Sequence, residues 1–401
     1  MFQFVLLLSL LLGGAAGEVL TGSAPDWGFF GHRRINRLAV FTLPPELAVP
    51  LRGHIDYLTE HAVDPDKRRY ATAHEAVRHY IDLDRWGSLP FADLPRDYMG
   101  ALQLHSTVST IASPGDTTHW RYDTLIGDRV LLTSPTGTVD LLRNDYRRVW
   151  YTTLLPSLYD DGIVEIDSLT AIGFPAAASA TVTDRFSENG ILPYHLEAYH
   201  RRLTDAFVAR DGQRLLQLAA EMGHYVGDAH VPLHTTVNYN GQLTDQLGIH
   251  AFWESRLPEL FADEEYDYLV GPAEYIEDPR QYYWDIVLTS HSLVDSVLNT
   301  ERRLSESYPA ARQRCFEERG GKSVATQCAE YSRAWSQAMN GMVEERFRAA
   351  IHSVGSVWYS CWVDAGQPDL SAILDGFHDF GATTNPADTL PQKMTGSRRH
   401  E

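Results

Sequence analysis

Two histidine–carboxylate pairs at helical spacing stand in the segment Gly223–Glu254: His224 with Asp228, and His250 with Glu254, each four residues apart. Residues at i and i+4 share one helix face, so each pair can present two metal-binding atoms side by side. His234 falls between the pairs, two residues after Pro232. Imidazole nitrogen and carboxylate oxygen make a donor set suited to zinc. A helix with ordinary polar histidines explains one such pair about as well as a metal does. Two pairs and a fifth donor favour the metal. Upstream, His32 follows Trp27 by five residues in WGFFGH, and Asp64 and His79 stand fifteen apart.

In chain order, Trp27, His32, Asp64, His79, His224, Asp228, His234, His250 and Glu254 form a series that resembles the superfamily of zinc-dependent phospholipase C and the single-strand-specific zinc nucleases. The resemblance covers residues 27–254, and HYVGDAHVPLH is its strongest segment, with RHYID before it and the HxxxE pair after it. It implies a helical fold holding three zinc ions. Asp64, His79, His224 and Asp228 would hold one, and His234, His250 and Glu254 a second. Asp228 would bridge to a third, completed by His32 and the backbone amine and carbonyl of Trp27. The implied activity is hydrolysis of phosphoric esters, in which water activated by zinc attacks phosphorus in line. Asp64 and Asp228 would then belong to the catalytic centre.

Three further residues enter beside that series. Arg68, four residues past Asp64, is a candidate phosphate contact, with a structural ion pair as the other reading. Tyr80 and Asp82 resemble a substrate pocket, an aromatic face for stacking and a carboxylate to accept from a base. The substrate stays open between a single-stranded nucleic acid or nucleotide and a phospholipid head group. Glu254 is the phospholipase-type residue at its position, whereas DAHVPLH is the nuclease-type segment. In the family the tryptophan amine is free, while the best signal cleavage here leaves nine residues ahead of Trp27. The reading from a different class is a non-catalytic, zinc-stabilised secreted or surface binding protein.

The rest of the chain must position these donors. Its 401 residues, 44 % hydrophobic and 22 % charged, suffice for one large domain with a sizeable core. Amphipathic runs over 27–86, LPYHLEAYHRRLTDAFVARD, GQRLLQLAAEMGHYVGD and several segments beyond 254 predict helices. The fold class expected is therefore mainly α: a single multi-helix domain over 27–375 of the phospholipase C/zinc nuclease type. Residues 100–187, rich in Gly, Thr, Ser and Asp with β-prone runs RVLLTS and GIVEID, read as a less regular insertion.

Net charge is −19, from 34 basic and 53 acidic side chains. Such a surface argues against a stable nucleic-acid complex, although bound zinc would reverse the field locally for a phosphodiester substrate. MFQFVLLLSLLLGGAAG (1–17) suits a secretory signal peptide, so a secreted or periplasmic location is expected. No other apolar run is long enough for a transmembrane segment. The three cysteines, Cys315, Cys328 and Cys361, all lie far from the histidine cluster of 224–254 in sequence, and Cys315 could pair with Cys328. The end of the chain, 380–401, reads as a disordered tail.

Overall fold

The computed structural model describes residues 27–69, 72–159, 164–319 and 321–375. The expected signal peptide (1–17) and tail (380–401) lie outside the described residues.

Most of the amphipathic runs form helices, and five of them build the frame of the site. These are α1 (Trp27–Ala39), α2 (Leu192–Ala209), α3 (Gly212–Ala229), α4 (Pro279–Ser292) and α5 (Met342–Asp364). The central one is α3, which packs against the other four. Every residue from Leu218 to Ala229 is buried, as befits a helix enclosed on all sides. Its ends are satisfied accordingly. At the N-terminus the Asp211 carboxylate accepts from the Arg214 amide at 3.0 Å. At the C-terminus, Ser290 donates to the Ala229 carbonyl at 2.6 Å and Arg346 to the His230 carbonyl at 3.0 Å.

Two glycines on one face of α3 let α1 approach. A β-carbon at Gly223 would collide with the Asn36 side chain, and one at Gly227 would lie 2.8 Å from His32 Nδ1. Asn36 uses this closeness to donate to the Ala220 carbonyl at 2.9 Å and to the Leu58 carbonyl at 3.0 Å. The i, i+4 spacing of the glycines thus becomes a helix crossing that brings His32 over Asp228.

The expectation of a mainly α fold is overturned: the protein is mixed α/β. The stretch taken for a less regular insertion holds an antiparallel five-stranded sheet with β1 (Thr107–Ser113), β2 (Asp116–Ile126), β3 (Arg129–Ser134), β4 (Gly137–Leu142) and β5 (Ser179–Thr183) in the order β4-β3-β2-β1-β5. RVLLTS is β3 itself. The described part of GIVEID forms no strand and leads into a helix that starts at Ile166. The reason lies in pairing between neighbours. β2 carries only Trp120 as a fully buried residue, so its own pattern is weak, yet it pairs along its length with β1 and β3. The β2–β3 hairpin closes on Gly127, at φ +60°, where glycine adopts the left-handed backbone without a Cβ penalty. Val130, Leu132, Val139 and Leu141 alternate onto the buried face and join the same core as the helices.

One further difference bears on the site. ATAHEAVRHYIDLD does not run on as a helix, since the helical turn stops at Ala76 and His79 sits in irregular chain. Beyond the site, a two-stranded hairpin, β6 (Arg314–Arg319) with β7 (Lys322–Gln327), is closed by the disulfide Cys315–Cys328, and Cys361 is a buried free thiol. No helix among the described residues is long and apolar enough to cross a membrane.

Candidate metal centre

Eight buried donors converge where α1, α3, a short helix and three less regular segments meet. His32 comes from α1, His224 and Asp228 from one face of α3, and His79 from the chain after Ala76. His234 lies in a 3₁₀ turn, Pro232–Thr235, that begins just beyond α3. His250 lies in a short helix, Ile249–Ala251, that passes into a π-helical turn, Phe252–Arg256, carrying Glu254. A π turn has more residues per turn than an α-helix, so i and i+4 lie closer to eclipsed, and such turns recur at functional sites. The eighth donor is Asp66, in the helix Asp64–Arg69.

The donor atoms fall into three sets, each with its atoms within 4.8 Å of one another: His32, His224 and Asp228; Asp66, His79 and His224; His234, His250 and Glu254. Asp228 joins the sets. Its Oδ1 is 3.3 Å from His32 Nε2 and 3.9 Å from His234 Nε2, while Oδ2 is 2.9 Å from His79 Nδ1 and 3.3 Å from His224 Nε2. Asp66 Oδ1 lies 3.6 Å from His224 Nε2 and 3.8 Å from His79 Nδ1. Glu254 contacts His250 and stands 3.5 Å from His234 Nε2.

Hydrogen bonds on the far side of the rings set the tautomers. His224 Nδ1 donates to the Ala62 carbonyl at 2.9 Å, His250 Nδ1 to the Tyr239 carbonyl at 3.1 Å, and His234 Nδ1 to the His79 carbonyl. A carbonyl only accepts, so Nδ1 carries a proton in all three and Nε2 is the nitrogen turned inward. This outer bonding is how metal-ligating histidines are oriented.

The donor set fits cations. Asp228 and Glu254 are buried to 1 % and 6 % exposure, and their side-chain partners are histidines alone. Buried carboxylates require compensating positive charge. In its absence the imidazoles must supply it. Burial pushes Asp228 up, but His224 and His234 outweigh burial and hold it well below the usual carboxylate range. Burial opposes charge on His234, yet Asp228 and Glu254 raise it to about 9. Glu254 is likewise held low by His250 and His234 against burial. His79 goes the other way, since burial lowers it by more than Asp228 restores. His79 Nδ1 and His224 Nε2 stand only 3.0 Å apart, a spacing that suits a shared proton or cation and not two opposed lone pairs.

No protein-family model and no curated protein matches this chain.

The sequence-predicted residues divide as follows. His32, His79, His224, Asp228, His234, His250 and Glu254 are brought together. Asp64 is not: it faces His61 at 2.5 Å and Lys67 at 2.8 Å, both local partners, and Asp66 occupies the donor position instead. Two residues apart on a helix point to opposite sides, so only one of the two acids can turn inward. Trp27 opens α1, and the chain ahead of it, on which the free amine of the assignment depends, lies outside the described residues.

Arg68 is a structural arginine. Its guanidinium grips Glu221 through two hydrogen bonds, 2.7 and 2.9 Å, and lies 3.5 Å from Glu75. The partner acid comes from α3, 153 positions away in sequence. Tyr80 is 2 % exposed and donates to the Glu188 carbonyl at 3.1 Å, so its ring is core and offers no stacking face. Asp82 is buried at 7 %, with its amide bonded to the Asn189 carbonyl. Asp66, Glu75 and Glu221 are the residues that sequence reasoning missed. For Asp66 one signal was present: Asp64 has basic neighbours at i−3 and i+3 to bind locally, and Asp66 lacks a partner at i−3.

Proposed function

We propose that this chain is a zinc-dependent hydrolase of phosphoric esters. The observation that carries the reading is Asp228, whose two oxygens face different histidines of adjoining donor sets. A carboxylate can bridge two cations, as neutral imidazole cannot. The all-nitrogen and oxygen donor set, without cysteine, suits zinc. Zinc, when bound, supplies Lewis acidity toward a phosphoryl oxygen and lowers the pKa of water toward neutrality. The chain's own residues do the positioning. Asp66, His79, His224 and Asp228 would hold one cation, Asp228 with His32 would share in a second, and His234, His250 and Glu254 would hold a third. The backbone carbonyls of Ala62, His79 and Tyr239 keep three of the rings from rotating. The resemblance to the phospholipase C and zinc nuclease superfamily supports phosphodiesters as the substrate class. The burial of Tyr80 removes the support that residue lent to a base-stacking pocket.

A second reading is favoured by one observation: none of the eight donors exceeds 7 % exposure. Metals so enclosed suit a non-catalytic, metal-stabilised protein. Zinc per chain and turnover of bis(p-nitrophenyl) phosphate, measured on the same sample before and after chelation, separate the two. Hydrolysis that disappears with the zinc and returns with it supports the enzyme. Bound zinc without turnover leaves the stabilised protein. An Asp228→Ala variant that keeps both metal and activity would defeat either reading.

A further inference from the structure

Of the donor histidines, His79 alone turns Nδ1 toward the cluster and Nε2 toward a carboxylate. His224, His234 and His250 are pinned through Nδ1 by backbone carbonyls. His79 Nε2 is fully buried and makes no hydrogen bond. The carboxylate facing it, Glu75 Oε1, is 3.8 Å away, one helical turn earlier in the chain. A ring that gives its Nδ1 lone pair to a cation must carry its proton on Nε2. That proton points at Glu75.

Glu75 is itself held in place. It is 3 % exposed, accepts from Arg78 at 2.8 Å and from the Tyr225 hydroxyl, and lies 3.5 Å from Arg68. Arg68 in turn grips Glu221, which also accepts from Tyr199 and Gln217. The guanidinium groups of Arg78 and Arg68 lie against the Glu75 carboxylate, so an acceptor held in place stands behind His79.

We infer that Glu75 is the positioning residue for His79, closing to a hydrogen bond with Nε2 when the Asp66, His79 and His224 set holds a cation. The inference rests on the metal reading above. Glu75 would fix the tautomer of the ring and raise its donor strength, the role that outer carboxylates play for histidine ligands. It also explains why a run of buried charge, Glu75–Arg68–Glu221, is built beside the centre without contributing a donor to it.

The test is zinc affinity by competition with a chromophoric chelator, measured on the full chain and on three variants. Glu75→Gln is expected to weaken binding roughly 10- to 100-fold, the usual effect of losing such a partner. Glu221→Gln breaks the same Arg68 network without touching His79, and it is expected to lose stability while keeping wild-type affinity. His224→Ala removes a donor and must weaken binding. If Glu75→Gln binds like wild type while His224→Ala does not, the inference fails and the metal centre stands. If His224→Ala also binds like wild type, the metal reading itself fails. A readout independent of any variant's folding is the Nε2-bound proton of His79 in zinc-loaded wild type, seen by long-range ¹H–¹⁵N NMR. Finding the proton on Nδ1 would overturn the inference.

Discussion

His32 packs against Gly227 so closely that a β-carbon there would lie 2.8 Å from His32 Nδ1 and 3.0 Å from Cε1. The ring is 1 % exposed and its other nitrogen faces Asp228. A β-carbon at Gly227 therefore cannot be accommodated unless the ring moves. Gly227→Ala should push His32 off Asp228 and cost about 1–3 kcal/mol, the range for overpacking a dense interior. Zinc per chain is expected to drop by the share that His32 helps to hold, with the fold retained by circular dichroism. Full zinc content in the variant would show that the approach of α1 to α3 is not what sets the His32 donor.

The two acids of DPD make a sharper test. Asp66 faces His224 and His79, whereas Asp64 faces His61 and Lys67. Asp66→Asn is expected to weaken zinc binding, and Asp64→Asn to leave it near wild type. Elemental analysis of both proteins after the same dialysis decides the point. The reverse outcome would restore Asp64 as the donor.

Arg68 separates a structural role from a phosphate contact. Removing it leaves Glu221 buried without its cation, and breaking a buried pair in this way costs about 3–5 kcal/mol. Arg68→Ala should therefore show a lower urea midpoint while the folded, zinc-loaded fraction turns over phosphodiester at near wild-type kcat and KM. A selective fall in kcat/KM at unchanged stability would place Arg68 at the substrate.

His105 supplies a pH dependence away from the metal. It lies against Trp86 and Phe186, and burial lowers its pKa from 6.5 to about 4. The unfolded chain then takes up the proton first as pH falls. Stability present above pH 6.5 is accordingly lost as the pH drops toward 4, the sign expected when the unfolded state binds more protons. Between pH 7 and pH 5 the wild type should lose about 1–2 kcal/mol more than His105→Leu, by the same linkage. Urea unfolding of both proteins in chelator measures this, and equal losses would count against a buried neutral His105. Zinc content at pH 7 should be unchanged by the substitution.

Residue types and spacing picked out five of the eight donors, His224, Asp228, His234, His250 and Glu254, and the family resemblance added His32 and His79. A histidine and a carboxylate four apart on a helix must share a face, and that holds wherever the helix packs. The same logic made α1 to α5 legible, since an amphipathic period shows which residues are buried without saying against what. Pairing between segments was not legible. β2 has a weak pattern of its own and becomes a strand because β1 and β3 supply its hydrogen bonds, which turned an expected mainly α chain into a mixed α/β one. Only the tertiary structure could choose Asp66 over Asp64, because the choice depends on which side of one short helix meets His224. It alone gave Arg68 its partner, Glu221, from a helix 153 positions away, and buried the Tyr80 ring that the family resemblance had suggested for a substrate. Local periodicity is a property of the chain, whereas the direction in which a polar side chain finds its counter-charge depends on elements brought in from elsewhere.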